Sequence, residues 1–563
     1  MKQQKLRTQR TPVNKNDDLT LTIEALTGEG QGVARVDGYA VFVPGALIGE
    51  TVEAHVIKAT ASYAVAKLRN VLSAAHERVG PRCAVFGRCG GCAMQHLSYA
   101  GQLAAKQRQV SDALTRLGGL VDPPMRPILC MDDPWRYRNK GSFPFGAHAG
   151  AAVFGFYAGR SHRLVPLYDC PIQDERIVDI ARRVAGWADE AGVAVYDEQT
   201  CRGTLRHVMA RALTTGETMA VVVTNAPLGA AQSAALVSAL AGVDSVWHNL
   251  NPRATNVIFG ERFSLLAGKP ALTEVIGKLR FSVSPQSFLQ INAVQAEALY
   301  EAAVSLLDPQ PDETVVDAYC GIGTISLMLA ARCKRVIGIE QVSAAVEDAR
   351  QNAADNSVSN ATFLCGDTEA VLPKLVSEGS PLHAILLDPP RKGCDERALA
   401  AVVQAAPQRI VYVSCNPATL ARDLKYLCAA GYALSAVQPV DMFPQTSHVE
   451  TIVLLSHKSP DSVINVKVEF GEGEGKMPLD AIAERAKKYQ PKPKITYKMI
   501  QEYVEKKYGF KVHTAYIAEV KRSLGLTLYD APNAVDELRQ SRKHPPKEKI
   551  EAITDALKYF EVI

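Results

Sequence analysis

The stretch VVDAYCGIGTISLMLA, Val315–Ala330, decides the fold. It reads as a buried strand, a glycine-rich turn and the start of a helix. Gly321 and Gly323 allow the backbone to approach a ligand at a helix N-terminus. Outward from this stretch the same texture repeats. RVIGIE (335–340), HAILLDPP (383–390) and RIVYVSCNP (409–417) are short apolar runs separated by helix-like segments, and HVETIVLLS (448–456) is a last run. Strands buried on both faces of an α/β sheet have this signature. A Rossmann-like α/β domain is therefore expected over residues 271–458.

Upstream, LTIEALTGEGQGVARVDGYAVFVPGALIGETVEAHV (21–56) alternates apolar and polar residues between Gly and Pro turns. It predicts a small, OB-like β-barrel within residues 1–71. A mixed α/β central domain is expected over 72–270, with a helix from about Tyr99 to Leu117. A helical extension is expected over 459–563. There, ITYKMIQEYVEKKYGF and HTAYIAEVKRSLGL suggest a helix-turn-helix-like pair with Gly509 as C-cap and Thr514 as N-cap. The Lys excess of 492–522 suits either an accessory nucleic-acid contact or a solvated face.

Composition bounds the function. The chain has 563 residues, 47% apolar content and a net charge of only +4, which permits a nucleic-acid partner without requiring one. The Met1–Lys15 arm is basic but has no apolar core segment, and no run approaches the ~20 apolar residues of a membrane helix. A cytoplasmic, monomeric protein without a membrane partner is expected. Twelve cysteines in such a chain point to metal ligation, catalysis or burial rather than a disulfide scaffold.

The turn at Gly321 is G-x-G without a third glycine, which favours an adenosyl ligand over a dinucleotide. Glu340, about 20 residues on, suits ribose hydroxyls, and Asp367 in FLCGDTE could face the adenine. A turn without a ligand is the bland alternative, and the acidic strand ends count against it. LDPPRKG and VSCNPATLARDL end two adjacent strands, so Cys415 lies beside the crevice where ligands bind in such sheets. A thiolate there suits one reaction. Uracil C5 is too weak a nucleophile to take a methyl from a sulfonium, but adding a thiolate to C6 makes C5 an enolate carbon. Glu450, opening a buried strand, can then accept the C5 proton. His448 is the second candidate for that base.

DAYCGIGT, LDPPRKGC, VSCNPATLARDL and HVETIVLL, in this order and spacing, resemble the RNA uridine-5 methyltransferase family, whose members methylate 23S ribosomal RNA or transfer RNA. The resemblance covers about Leu19 to Ser456. It implies an S-adenosylmethionine-dependent enzyme with Cys415 as nucleophile and Glu450 as base. It also implies cofactor contacts from Gln290 (in SPQSFLQIN), Tyr319, Glu340 and Asp388. The barrel resembles the TRAM domain, an RNA-binding module.

Cys83, Cys89 and Cys92 in CAVFGRCGGC, with Cys170 in LYDCPIQ, form a close triplet plus one distant thiol. Zinc or an iron–sulfur cluster can use four thiolates, and the spacing suits a cubane better than paired zinc knuckles. Relatives that the chain resembles carry a [4Fe-4S] cluster at such a set. Because these ligands precede the cofactor sheet, losing the cluster is expected to affect solubility and RNA binding before chemistry. WRYRNKGSF offers Arg136, Arg138 and Lys140 among aromatics, and GTLRHVMAR offers Arg206, a mixture suited to phosphates and stacked bases. A polar-faced strand with its aromatics in the core is the alternative. The barrel and cysteines favour 23S ribosomal RNA over transfer RNA as substrate. A third possibility, an RNA-binding protein with a vestigial catalytic domain, sits poorly with intact Cys415, Glu450 and Asp388.

Overall fold

The computed structural model describes residues 11–159, 161–379, 382–457, 497–524 and 545–560. Lys2, Lys5, Arg7 and Arg10 of the basic arm, and Lys492 of the tail, lie outside them. The chain forms two compact units, Met1–Ser462 and Val463–Ile563.

The first unit opens with six strands: β1 (Asp18–Thr22), β2 (Ala25–Leu26), β3 (Gly32–Val36), β4 (Tyr39–Val43), β5 (Thr51–Ala59) and β6 (Tyr63–Ser73). Their order is β1-β5-β6-β4-β3-β2. Alternation puts Val41 and Val43 of β4 and Val52, Ala54 and Val56 of β5 into one core, as period-2 side-chain geometry requires. Among the described pairings no ladder joins β1 to β2, so the expected barrel is open in its hydrogen bonding.

Helix α1 (Tyr99–Arg116) is capped by Ser98, whose hydroxyl accepts the Gly101 N–H. Strands β7 (Lys140–His148), β8 (Ala151–Tyr157), β9 (Leu164–Pro166), β10 (Leu205–Ala212), β11 (Thr218–Thr224), β12 (Ser245–Leu250) and β13 (Arg262–Gly268) form a second sheet, ordered β13-β12-β11-β10-β7-β8-β9. Helices α2 (Glu175–Glu190) and α3 (Ala230–Ala239) follow β9 and β11. Ile177, Ile180, Val184 and Trp187 of α2 pack on Val208, Ala210 and Val222. The other face of the sheet turns Met209, Met219 and Val221 into a core shared with Leu272, Phe281 and Val411. Every residue of β10 and β11 is buried.

After the hairpin β14 (Leu272–Ile276) and β15 (Leu279–Val283) comes the third sheet. Its strands are β16 (Thr314–Ala318), β17 (Arg335–Glu340), β18 (Ala361–Cys365), β19 (Ala384–Leu387), β20 (Arg409–Ser414), β21 (Tyr432–Val440) and β22 (Glu450–His457), ordered β18-β17-β16-β19-β20-β22-β21. The first five run parallel, and β22 is antiparallel to β20 and β21. The interleaved helices are α4 (Ala293–Leu307), α5 (Thr324–Ala330), α6 (Ser343–Asp355), α7 (Thr368–Ser377), α8 (Glu396–Ala405) and α9 (Pro417–Ala429). Strand order reverses between β16 and β19, the place where open α/β sheets bind ligands. Helix α1, expected with the central domain, packs here: Val110 and Leu114 share a core with Leu420, Ala421 and Val437.

In the second unit, α10 (Tyr497–Tyr508), α11 (Thr514–Ser523) and α12 (Lys547–Tyr559) close around Ile500, Val504, Ile517, Val520, Ile553 and Leu557. Thr514 is the first helical residue rather than the cap. His513 precedes it, and its ring Nδ1 accepts the Ala515 N–H at 3.2 Å.

Candidate active site and cysteine pocket

The carboxyl edge of the third sheet collects the predicted residues. Tyr319 follows β16 with φ 72° and donates its N–H to Ile339 O at 2.9 Å. Gly321, at φ 56°, donates its N–H to Glu340 Oε2 at 3.2 Å, and Val342 N–H reaches Glu340 Oε1 at 2.8 Å. A Cβ built on Gly321 would meet nothing within 4 Å, so this turn borders open space. Asp367 is exposed two residues beyond β18, as the cap residue of α7. Asp388 immediately follows β19.

Cys415 follows β20 directly, and Asn416 and Pro417 then open α9, the Asn416 carbonyl oxygen on its side chain accepting the Ala418 N–H at 3.0 Å. In the β20–β22 ladder Ser414 pairs with Thr451. Cys415 and Glu450 are the residues adjoining that last pair, and they are close enough for the Glu450 carboxylate to act on the thiol. Glu450 is 6% exposed, while His448 is exposed. The edge therefore runs Asp367, Glu340, Tyr319, Asp388, Cys415, Glu450, with Asp388 between the glycine turn and the thiol.

These acids are crowded. Burial pushes Asp388 up to about 7. Burial and then Asp388 push Glu450 up to about 8. Burial, with Glu450 and Asp388 adding to it, pushes the Cys415 thiol up to about 11. Asp317, on β16, is pushed to about 7 by burial despite accepting the Ser326 hydroxyl at 2.5 Å. Arg391 works in the opposite direction on both Cys415 and Glu450. Like charges disfavour shared ionisation, and a cation relieves it.

Sequence reasoning quoted Arg391 in LDPPRKG without assigning it a role; a cation beside two buried acids becomes visible only in three dimensions. The Arg391 loop is also fastened from below. Asp423, 1% exposed, accepts the Tyr412 hydroxyl at 2.6 Å, the Cys394 N–H at 2.9 Å and the Arg422 Nε–H at 2.8 Å. The Thr419 hydroxyl donates to Arg391 O at 3.3 Å.

Gln290 precedes α4 on a segment stitched to the central sheet, its carbonyl accepting the Asn139 Nδ2–H at 3.1 Å. Phe288, two residues before it, leaves its ring 70% exposed. Of the four expected RNA contacts, two are occupied elsewhere. Arg206 is 4% exposed and donates to the carbonyls of Asn251, Arg253 and Thr255. Its strand is covered on both faces, so the basic residue in GTLRHVMAR is turned into the fold. Arg136 makes a two-pronged pair with Asp169, at 2.8 Å on each prong, and also donates to Cys170 O. Arg138 donates to the Tyr137 hydroxyl at 3.5 Å, lies over the Tyr137 ring and favours the charged form of Cys89 and Cys92. Burial and the nearby Arg211 push Lys140 down to about 8.

Cys83, Cys89, Cys92 and Cys170 line one pocket with Phe86, Gln95, Phe156 and Leu167. Burial, aided by neighbouring thiols, pushes Cys92 up to about 11 and Cys170 up to about 12. The Gln95 amide spans the pocket, donating to Cys92 Sγ at 3.2 Å and accepting the Cys83 N–H at 3.0 Å. Among the described residues no three donor side chains are gathered as the shell of a single ion. His96 is buried against the Phe86 ring, 5.3 Å between centroids, with no hydrogen-bond partner for either nitrogen. Among the described residues no helix is long and apolar enough to cross a membrane.

The cysteine loop is not a separate region, contrary to the expectation from its place in the sequence. The N–H groups of Ala93 and Met94 both donate to Gln445 O, at 3.1 and 3.0 Å, and Gln445 lies five residues before Glu450.

Comparison with known proteins agrees with this layout. Residues 273–458 match the family described as tRNA (Uracil-5-)-methyltransferase, and residues 12–68 match the TRAM domain. A Halalkalibacterium halodurans protein named an uncharacterized RNA methyltransferase is 46% identical over 80% of this chain and 99% of its own length. One of the same name from Clostridium tetani is 43% identical over 79% and 98%. Among solved structures, the Pyrococcus abyssi tRNA (uracil-54, C5)-methyltransferase in complex with S-adenosyl-L-homocysteine superposes with a TM-score of 0.64 at 26% identity, covering 78% of this chain and 100% of that one.

Proposed function

Because the chain belongs to the RNA uracil-5-methyltransferase family, with a TRAM domain ahead of the catalytic domain, we propose that it methylates carbon 5 of a uridine in 23S ribosomal RNA. The observation that supports this reading is that Cys415 and Glu450 adjoin the last paired residues of two neighbouring strands, Ser414 and Thr451, with Asp388 at the end of the next strand towards the glycine turn. S-adenosylmethionine supplies the methyl group as a cationic sulfonium. Gln290, Tyr319, Gly321, Glu340, Asp367 and Asp388 would hold it. The open space above Gly321 and the uncompensated acids around Asp388 fit a nucleoside that carries positive charge.

In this reading the Cys415 thiolate adds to C6 of the uracil and the electron pair of the C5–C6 bond moves to C5 and its enolate oxygen. C5 takes the methyl, Glu450 removes the C5 proton, and the C6–S bond breaks to return the thiolate. Arg391 supports ionisation of the thiol. Arg138 and Lys140 are the RNA contacts we retain from the central domain, and exposed Phe288 offers a stacking face. The protein acts as a cytoplasmic monomer.

We further assign Cys83, Cys89, Cys92 and Cys170 to a [4Fe-4S] cluster with a structural role. Four thiols around one apolar pocket fit such a group. Binding would displace the thiol protons that burial now retains.

A second reading, the same chemistry on transfer RNA, is favoured by the Pyrococcus abyssi tRNA (uracil-54, C5)-methyltransferase, which matches 78% of this chain. Methyl transfer assays on 23S ribosomal and transfer RNA transcripts separate the two. Transcripts carrying 5-fluorouridine should trap wild-type protein covalently, because fluorine cannot leave as a proton. Substantial methylation by Cys415→Ala would remove the covalent reading.

A further inference from the structure

The segment from Asp441 to Glu450 carries the proposed base but is almost free of regular secondary structure. Its shape is imposed by side chains from elsewhere in the fold. Buried Lys106 of α1 pairs with Asp441 Oδ1 at 2.5 Å and donates to Phe443 O at 3.0 Å. Asn292 Nδ2–H donates to Met442 O at 3.0 Å, and the Tyr137 hydroxyl to Pro444 O at 2.9 Å. The densest point is Gln445. It is 2% exposed and left-handed, at φ 67°, a conformation uncommon for a residue with a Cβ.

Four hydrogen bonds hold Gln445 there. Its N–H donates to Gln102 Oε1 at 2.9 Å, and Gln102 Nε2–H donates back to Gln445 Oε1 at 3.0 Å. Its carbonyl accepts both Ala93 N–H and Met94 N–H. Those two amides directly follow Cys92, whose sulfur faces the cysteine pocket. The left-handed turn is what aims the carbonyl at the cysteine loop. The loop after Cys92 and the first turn of helix α1, close together in sequence, thus meet the distant arm that ends at Glu450 on one residue.

We propose that Gln445 is a positioning residue through which order in the Cys83–Cys92 loop is transmitted to Glu450, so that the arm is held for proton removal only while the cysteine loop is itself fixed. This rests on the reading of Glu450 as the base. It makes the cysteine site a support of the second half of the reaction rather than of RNA binding alone. Thiol addition and methyl transfer need Cys415, which lies between β20 and α9 and outside the arm 441–449. Only the departure of the C5 proton depends on the arm.

Gln102→Ala tests the coupling without touching a cysteine or the arm, because it leaves the Gln445 N–H and amide unmatched. Gln102→Glu keeps the acceptor and serves as the conservative rescue. Amide hydrogen exchange is measured on full-length, iron-loaded protein. Exchange at 445–449 should rise about tenfold or more in Gln102→Ala, with β19 and β20 unchanged and iron content intact. Gln102→Glu should fall between wild type and Gln102→Ala. Wild type stripped of iron by a chelator should show the same selective rise. With ordinary uridine RNA, Gln102→Ala should accumulate a protein–RNA adduct, while its 5-fluorouridine adduct forms at the wild-type rate. Unchanged protection at 445–449 in both Gln102→Ala and iron-stripped protein overturns the proposal, as does a uniform loss of protection across β19 and β20. Failure of wild type to form any 5-fluorouridine adduct would instead overturn the uridine chemistry, while the exchange measurement still decides the coupling.

Discussion

Asp388, Glu450 and Cys415 share a few ångströms of sheet edge, and each is held more protonated than in the unfolded chain. The sign of the consequence follows. Between about pH 4 and pH 7 folded Asp388 keeps a proton that the unfolded chain releases, so its contribution to stability falls as pH rises. Asp388→Asn should therefore raise the Tm of the ligand-free protein at pH 8 and leave it nearly unchanged near pH 4. The gain should be on the order of 1–3 kcal/mol after discounting for solvent. Calorimetry at the two pH values checks this, and an equal gain at both would show that Asp388 is not raised. The same residue should make binding of cationic S-adenosylmethionine tighten between pH 6 and 8, with little change for neutral S-adenosylhomocysteine. Titration calorimetry with both ligands measures the contrast, and Asp388→Asn should abolish it. Glu450→Gln should transfer the methyl and then stall, so a covalent RNA adduct should build up with unmodified substrate. Turnover at the wild-type rate would move the base to His448. The segments that carry Cys415 and Glu450 were legible in the sequence because RIVYVSCNP closes one apolar run and HVETIVLLS opens another. Arg206 was misread because its strand is covered on both faces, and a strand's own sequence does not report what lies over its second face.

At the scale of elements, the loop after β19 and the turn after β20 must keep a common geometry for Asp388, Arg391 and Cys415 to act on one substrate. Asp423 on α9 does this by accepting from Tyr412 on β20 and from the backbone of Cys394 in the loop. Asp423→Ala removes the acceptor of the buried Tyr412 hydroxyl and leaves the Cys394 N–H only its 3.3 Å bond to that hydroxyl, and a buried group that loses its partner costs about 1–3 kcal/mol. The variant should lose about 2–4 kcal/mol in urea unfolding. Its 5-fluorouridine adduct should form more slowly while S-adenosylmethionine affinity is largely kept, because β16 and β17 are not involved. Undiminished stability would mean that the loop is held by other means. The strands of this sheet and the helix over Tyr99–Arg116 were legible from periodicity and capping. That α1 packs on α9 and β21 was not, because an amphipathic stripe states that a face is buried and not against which partner.

At the scale of the molecule, the cysteine pocket stands where the central sheet, α1 and the catalytic arm meet. Protein purified without oxygen should contain about four iron and four sulfide per chain, the content of one cubane on four cysteinates. Serine at Cys83, Cys89, Cys92 or Cys170 should each lower it, and serine at Cys130, Cys201 or Cys365, which are exposed and outside the pocket, should not. One zinc and no iron would overturn the cluster and leave Cys415 untouched. By itself the sequence determined the family, the TRAM domain ahead of it and the α/β sheet. Those follow from local periodicity, turn chemistry and motif spacing, which act over tens of residues. Only the tertiary structure decided that Cys415 and Glu450 adjoin the last pair of two neighbouring antiparallel strands, that Arg206 is enclosed, and that the loop after Cys92 grips Gln445, more than three hundred residues away along the chain. Such contacts depend on how separate faces are brought together, and burial of apolar surface is non-directional: it states that faces must be covered, and the packed fold alone states which groups then meet.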